Sequence, residues 1–177
     1  MATEGAMTTA TATQAASQTR AESFLTVHLP PDTTALLAVD QMSEVLKVPL
    51  AQVTPIPHLP SWVLGVYNWR GEILWMVDLG GRVGLQPWHA QEMPPAVAPV
   101  AVIEAAQQRN GQSRLKVGLV VRRIEDIVTL DPDQLQSPPN ALVTEQLAPF
   151  LRGHWLDPTG QMLTLLDGTA LLDRMPS

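Results

Sequence analysis

Apolar residues recur along this chain in short runs, many alternating with polar ones and each ended by proline, glycine or an Asp/Asn turn. That is the spacing of strands, not the rhythm of an amphipathic helix. Phe24 to Leu29 is such a run, stopped by Pro30-Pro31-Asp32 and resumed from Ala35 to Val39. Met42 to Val48 predicts a third strand, and Val53 to Ile56 a short one bracketed by Pro55 and Pro57. Between His58 and Gly65, Pro60 suits a helical first turn and Gly65 its end, which predicts one or two helical turns. Gly71-Glu72 is a turn candidate ahead of Ile73 to Leu79, a run apolar on both alternating faces and so expected to be covered on both. Gln86 to Pro99 is a proline-broken loop, expected to link two halves of the molecule. Val100 to Ala105 and Leu115 to Val121 flank Asn110-Gly111, a strong hairpin signal. Ile124 to Leu130 is a strand, and Asp131-Pro132-Asp133 caps a short helical turn. Ala141 to Phe150 carries helical potential. Leu151 to Leu156 and Met162 to Leu166 form a second hairpin around Asp157-Pro158-Thr159-Gly160, and the chain ends in a short helix after Asp167-Gly168. About ten short strands with turns between them predict closed or partly closed β-barrels. No repeat at fixed spacing is visible.

Composition narrows the picture. The 16 prolines and 11 glycines interrupt any long helix, and 45% hydrophobic residues suffice for a core. Residues 1 to 21, rich in Ala, Thr, Gln, Ser and Glu, predict a disordered tail ahead of a folded domain over 22 to 175. A net charge of -6 argues against nucleic acid, since affinity for phosphate polymers comes from Lys and Arg. The absence of cysteine excludes disulfides and thiolate metal sites. With neither a secretory h-region nor a membrane-length apolar run, the expected location is the cytoplasm, without membrane insertion.

The segment Gly65-Val66-Tyr67-Asn68-Trp69-Arg70-Gly71-Glu72-Ile73-Leu74-Trp75-Met76-Val77-Asp78-Leu79 resembles the signature of the CheW family. In that family a Gly-Val-x-Asn-x-Arg-Gly stretch precedes a hydrophobic strand ending in Asp-Leu. Met42 to Leu46, Val117 to Val121, Ile124 to Ile127, and Gly153 ahead of Met162 to Asp167 follow the same order, so the likeness runs from about Phe24 to Leu172. The resemblance implies an all-β fold of two SH3-like five-stranded barrels packed together, with a few short helices. It implies a non-catalytic adaptor without cofactor or metal. Its partners would be the regulatory domain of a CheA-type histidine kinase and a methyl-accepting chemoreceptor-type protein, in chemotaxis, phototaxis or pilus-driven twitching.

The partner-binding residues implied are Glu44, Val45, Asn68, Trp69, Arg70, Gly71 and Trp75. Gly71 and Asn68 are turn chemistry, and Arg70 offers a planar fork for a carboxylate, with Glu44 at the acidic position the family associates with its arginine. Trp62 and Trp155 are expected in the core, and Trp69 and Trp75 on a contact surface. Trp75 stands where many family members carry proline, and Arg122-Arg123 where relatives often carry Asp. His28, His58, His89 and His154 lack any metal-ligand spacing and read as isolated surface histidines. There is no nucleotide-binding glycine loop and no Gly-x-Ser-x-Gly elbow. The reading from another class is a small barrel that binds a ligand or oligosaccharide on Trp69 and Trp75 as stacking platforms.

Overall fold

The computed structural model describes residues 21–104, 115–137 and 143–176. The expected tail, apart from Ala21, and the Asn110-Gly111 turn lie outside them. The strands are β1 (Glu22–Leu29), β2 (Thr33–Ala38), β3 (Met42–Pro49), β4 (Val63–Trp69), β5 (Glu72–Asp78), β6 (Val97–Glu104), β7 (Lys116–Val120), β8 (Arg123–Leu130), β9 (Leu151–Leu156) and β10 (Met162–Leu166). Two short helices, α1 (Leu79–Arg82) and α2 (Gly168–Asp173), follow β5 and β10.

The strands form two five-stranded sheets, ordered β8-β1-β2-β10-β9 and β3-β6-β7-β5-β4. Each curls until its ends are joined. Thr54, beyond β3, exchanges backbone hydrogen bonds of 2.8 and 2.9 Å with Val66 on β4. Gln136, beyond β8, does the same with His154 on β9 at 2.8 and 3.0 Å. Closure satisfies edge groups that open sheets expose.

The repeat that no sequence spacing revealed is plain in this topology. From β1 the chain makes an antiparallel pair with β2, crosses to the other sheet as β3, and then lays down β4, β5 and α1 there. From β6 it pairs with β7, crosses back as β8, and lays down β9, β10 and α2. Both parallel contacts, β10 with β2 and β5 with β7, unite strands from different halves of the chain. Each half therefore donates two strands to one sheet and three to the other.

The loop from Gln86 to Pro99 links these two halves of the chain, as expected. It does not join the two barrels, because the strands on either side of it, β5 and β6, lie in the same sheet. The crossings are the single 3-10 turn Val39–Gln41 and the residues between β7 and β8. The loop instead carries Trp88, only 4% exposed, into the core of the second sheet.

Three apolar clusters account for the doubly apolar strands. Phe24, Leu36, Leu163 and Leu165 fill the first sheet's interior, and Val48, Leu74, Met76, Val100 and Val120 the second's. Leu25, Val27, Leu37, Val77, Ala101, Ile103, Leu119 and Phe150 form the seam between sheets. Successive side chains of a strand point to opposite faces, so β5 puts Leu74 and Met76 inside its own barrel and Val77 into the seam.

Several local expectations change. There is no helix over His58 to Gly65: turns lead into β4 at Val63, and Gly65 sits at a bulge with φ 137°. A side chain there would collide with the carbonyl of Thr54, so this glycine marks a close backbone approach, not a helix end. The turn after β4 is Arg70-Gly71, not Gly71-Glu72, because Trp69 pairs with Glu72. The helical potential toward Phe150 is realised only as a 3-10 turn over Ala148–Phe150, with residues 141–142 outside the described ones. Pro149 removes the donor a longer helix needs.

Candidate partner-binding site

The β4–β5 hairpin has a two-residue turn in which Arg70 (φ 55°) and Gly71 (φ 83°) both adopt left-handed backbone, the geometry that matches the twist of paired strands. Glycine adopts it freely; an arginine does so at a cost of roughly 1–2 kcal/mol. Asn68 holds the turn by accepting a hydrogen bond from the Gly71 N–H at 3.0 Å.

At the tip, an Nη of Arg70 donates to Glu44 Oε1 at 2.9 Å, with the arginine side chain 69% exposed. Glu44 lies on β3 and Arg70 beside β4, the two ends of the sheet order, so this pair spans the barrel's closure. The Trp69 ring lies beneath two cations, with the Arg70 guanidinium and Lys116 Nζ each 5.0 Å from its centroid. Lys116 in turn reaches Glu72 at 2.7 Å. Glu44, Arg70, Lys116 and Glu72 thus form a balanced charge cluster around one indole.

Five of the seven expected residues, Glu44, Asn68, Trp69, Arg70 and Gly71, meet here. Val45, 47% exposed, follows Glu44 on β3. Trp75 is not part of the cluster: it lies opposite Val66 and packs, half-buried, against the seam. The exposed apolar residue of β5 is Ile73, at 62% exposure. Lys116, Glu72 and Ile73 were not among the residues expected at the site. Lys116 is distant in the chain, and only the strand pairing brings it near Trp69.

Trp69 does not serve as an open stacking platform, since cations already contact its ring and its body packs on the second barrel's core. Trp62 and Trp155 are half-buried against the seam and the first core, and Trp62 carries the Arg82 guanidinium 4.2 Å from its centroid.

Two histidines depart from isolated surface positions. His154 is only 5% exposed on β9, and burial lowers its pKa. His28 bonds Glu125 at 2.9 Å, which holds that carboxylate below its ordinary range. Arg122 donates to the carbonyl of Pro31 at 2.8 Å and Arg123 to Glu125 at 2.6 Å. These arginines line a cleft of about 490 Å³ with His28, Asp32 and Gln161, apart from the hairpin tip.

A twin-barrel β module bearing its distinctive chemistry on one exposed hairpin tip is the class these features define. The chain belongs to the family described as CheW-like domain, whose model matches residues 23–175. It is 34% identical over 114 residues to the chemotaxis protein CheW of Rhizobium meliloti, covering 64% of this chain and 65% of that one. It is 36% identical over 86 residues to the probable chemotaxis protein CheW of Rhizobium etli, covering 49% and 48%. The matched stretch therefore spans less than two thirds of either relative. In fold it is similar to the scaffolding protein TtCheW from Thermoanaerobacter tengcongensis, with a TM-score of 0.65 at 22% identity, covering 82% of this chain and 88% of that one.

Proposed function

We propose that this protein is a non-catalytic adaptor of the cytoplasm that couples a chemoreceptor-type protein to the regulatory domain of a CheA-type kinase in chemotaxis. Family membership supports the scaffold role, and the relatives' names favour chemotaxis over twitching or phototaxis. The observation that carries the site is Arg70. Its backbone is held in an unfavourable conformation, and its exposed ion pair and its contact with the Trp69 ring, each worth up to about 1 kcal/mol, do no more than offset that cost. The exposed guanidinium therefore adds little net stability and stands open to a partner. Recognition of a partner carboxylate, with Glu44 orienting the fork and Val45 and Ile73 supplying apolar rim, accounts for it.

The test is calorimetry and co-elution of the purified protein with the kinase regulatory domain and with a receptor cytoplasmic tip. Binding at micromolar affinity or tighter is expected for at least one. Arg70→Ala weakens one of those contacts about tenfold or more and leaves the melting temperature within a few degrees. Unchanged binding by that variant removes Arg70 from the site, and absence of both associations removes the adaptor reading.

A further inference from the structure

Away from the hairpin tip, a cavity of about 220 Å³ opens near the seam between the sheets. Thr164 is paired with Ala35 on one side and His154 on the other, so these three form a row across β2, β10 and β9. All three line the cavity, and Leu166, two residues further on β10, extends the same face. Val83 and Leu85, which follow α1, together with Leu147, supply apolar wall from other segments. Asp32 and the 40%-exposed Met162 stand where it meets solvent.

His154 is the informative member. Its side chain is buried, and Nδ1 has no hydrogen-bond partner among the described residues. Leaving such a group unpaired costs free energy, and because Nδ1 is itself sealed beside the cavity, a turn of the imidazole about its Cβ–Cγ bond is what brings it to a partner there. Burial keeps the ring neutral, with one nitrogen an acceptor and the other a donor. The volume is below the roughly 300 Å³ at which drug-sized ligands begin, yet above the roughly 150 Å³ that suffices for benzene in an engineered apolar cavity.

We propose that this cavity is a binding site for a small single-ring compound bearing one hydroxyl, the ring against Ala35, Val83, Leu85, Leu147 and Leu166 and the hydroxyl bonded to His154. The site stands apart from the partner-binding reading and does not depend on it.

Titration of the isotopically labelled full chain with phenol, followed by amide and methyl shifts, is the test, with benzene as the hydroxyl-free comparison. Saturable shifts centred on Ala35, Leu85, His154 and Leu166 are expected, with phenol bound about tenfold more tightly than benzene. In His154→Leu the two probes should bind alike. No saturable shift, shifts centred elsewhere, or equal affinity of phenol and benzene for the wild type would overturn the site, leaving a cavity that holds water alone. Those wild-type outcomes decide the matter even where His154→Leu does not fold.

Discussion

Asp78, at 1% exposure, keeps a carboxylate where water does not reach. Burial pushes its pKa above the ordinary value of 3.8, opposed by the hydrogen bonds it accepts from the N–H groups of Trp88 at 2.6 Å and Gly81 at 3.1 Å. Those bonds cap α1 and tie down the loop that delivers Trp88 to the core. Asp78→Ala leaves both donors without that partner, so a loss of about 2–5 kcal/mol is expected from urea unfolding. His154 has a different pH signature. Its folded pKa lies below the ordinary 6.5, so on acidification the unfolded chain takes up a proton that the folded one refuses. Its contribution to stability is complete above about 6.5 and is lost as pH falls toward the folded value. Asp78 acts in the opposite sense, since its raised pKa favours the folded state in acid and that contribution is lost as pH rises through the folded value. Thermal melts of wild type and His154→Gln between pH 7 and 5 should therefore converge, the wild type losing more stability. Parallel curves would show that His154 does not titrate in this way.

At the scale of elements, the two closing bridges are the sensitive points. Gly65 and Gly153 occupy matching places in the two halves, each one residue before the strand residue that pairs across the closure, Val66 and His154. They differ in how tightly the backbone approaches. At Gly65 an added Cβ would strike the Thr54 carbonyl and the φ of 137° disfavours any side chain, whereas at Gly153 the nearest atom, Leu135 Cβ, would be 3.3 Å away. Gly65→Ala should thus destabilise by about 3 kcal/mol or more in denaturant titration, and Gly153→Ala by markedly less. Equal losses would mean that the closures are equally constrained.

The whole molecule is held together by exchange of strands between halves. Neither sheet can be completed by one half alone, because β10 must pair with β2 and β5 with β7. A fragment ending after residue 90 lacks three strands of the first sheet and two of the second. Expressed alone it should show no cooperative thermal transition, while the two fragments expressed together should reassemble and melt cooperatively. A cooperative transition in the first fragment alone would contradict this dependence. Among the described residues no helix is long and apolar enough to cross a membrane.

Strand positions were legible in the chain because alternation and turn residues act locally: nine of the ten predicted runs lie within, or largely coincide with, the strands from β1 to β10 apart from β4, while Val53 to Ile56 makes only an isolated bridge through Thr54. The failure at β4 is instructive, since Pro60 and Gly65 carry the marks of a helix, and only the approach of the Thr54 backbone gives this glycine its place. The motif around Arg70 was also legible, and its bond to Glu44 was anticipated from the family resemblance. Lys116 over Trp69, Trp88 in the core and the burial of His154 were not, because each depends on contacts between residues distant along the chain. So does the path of the chain between sheets. Local pattern decides what a segment can form; which segments then share a sheet is decided by burying both faces of every apolar strand, a condition only the complete fold can meet.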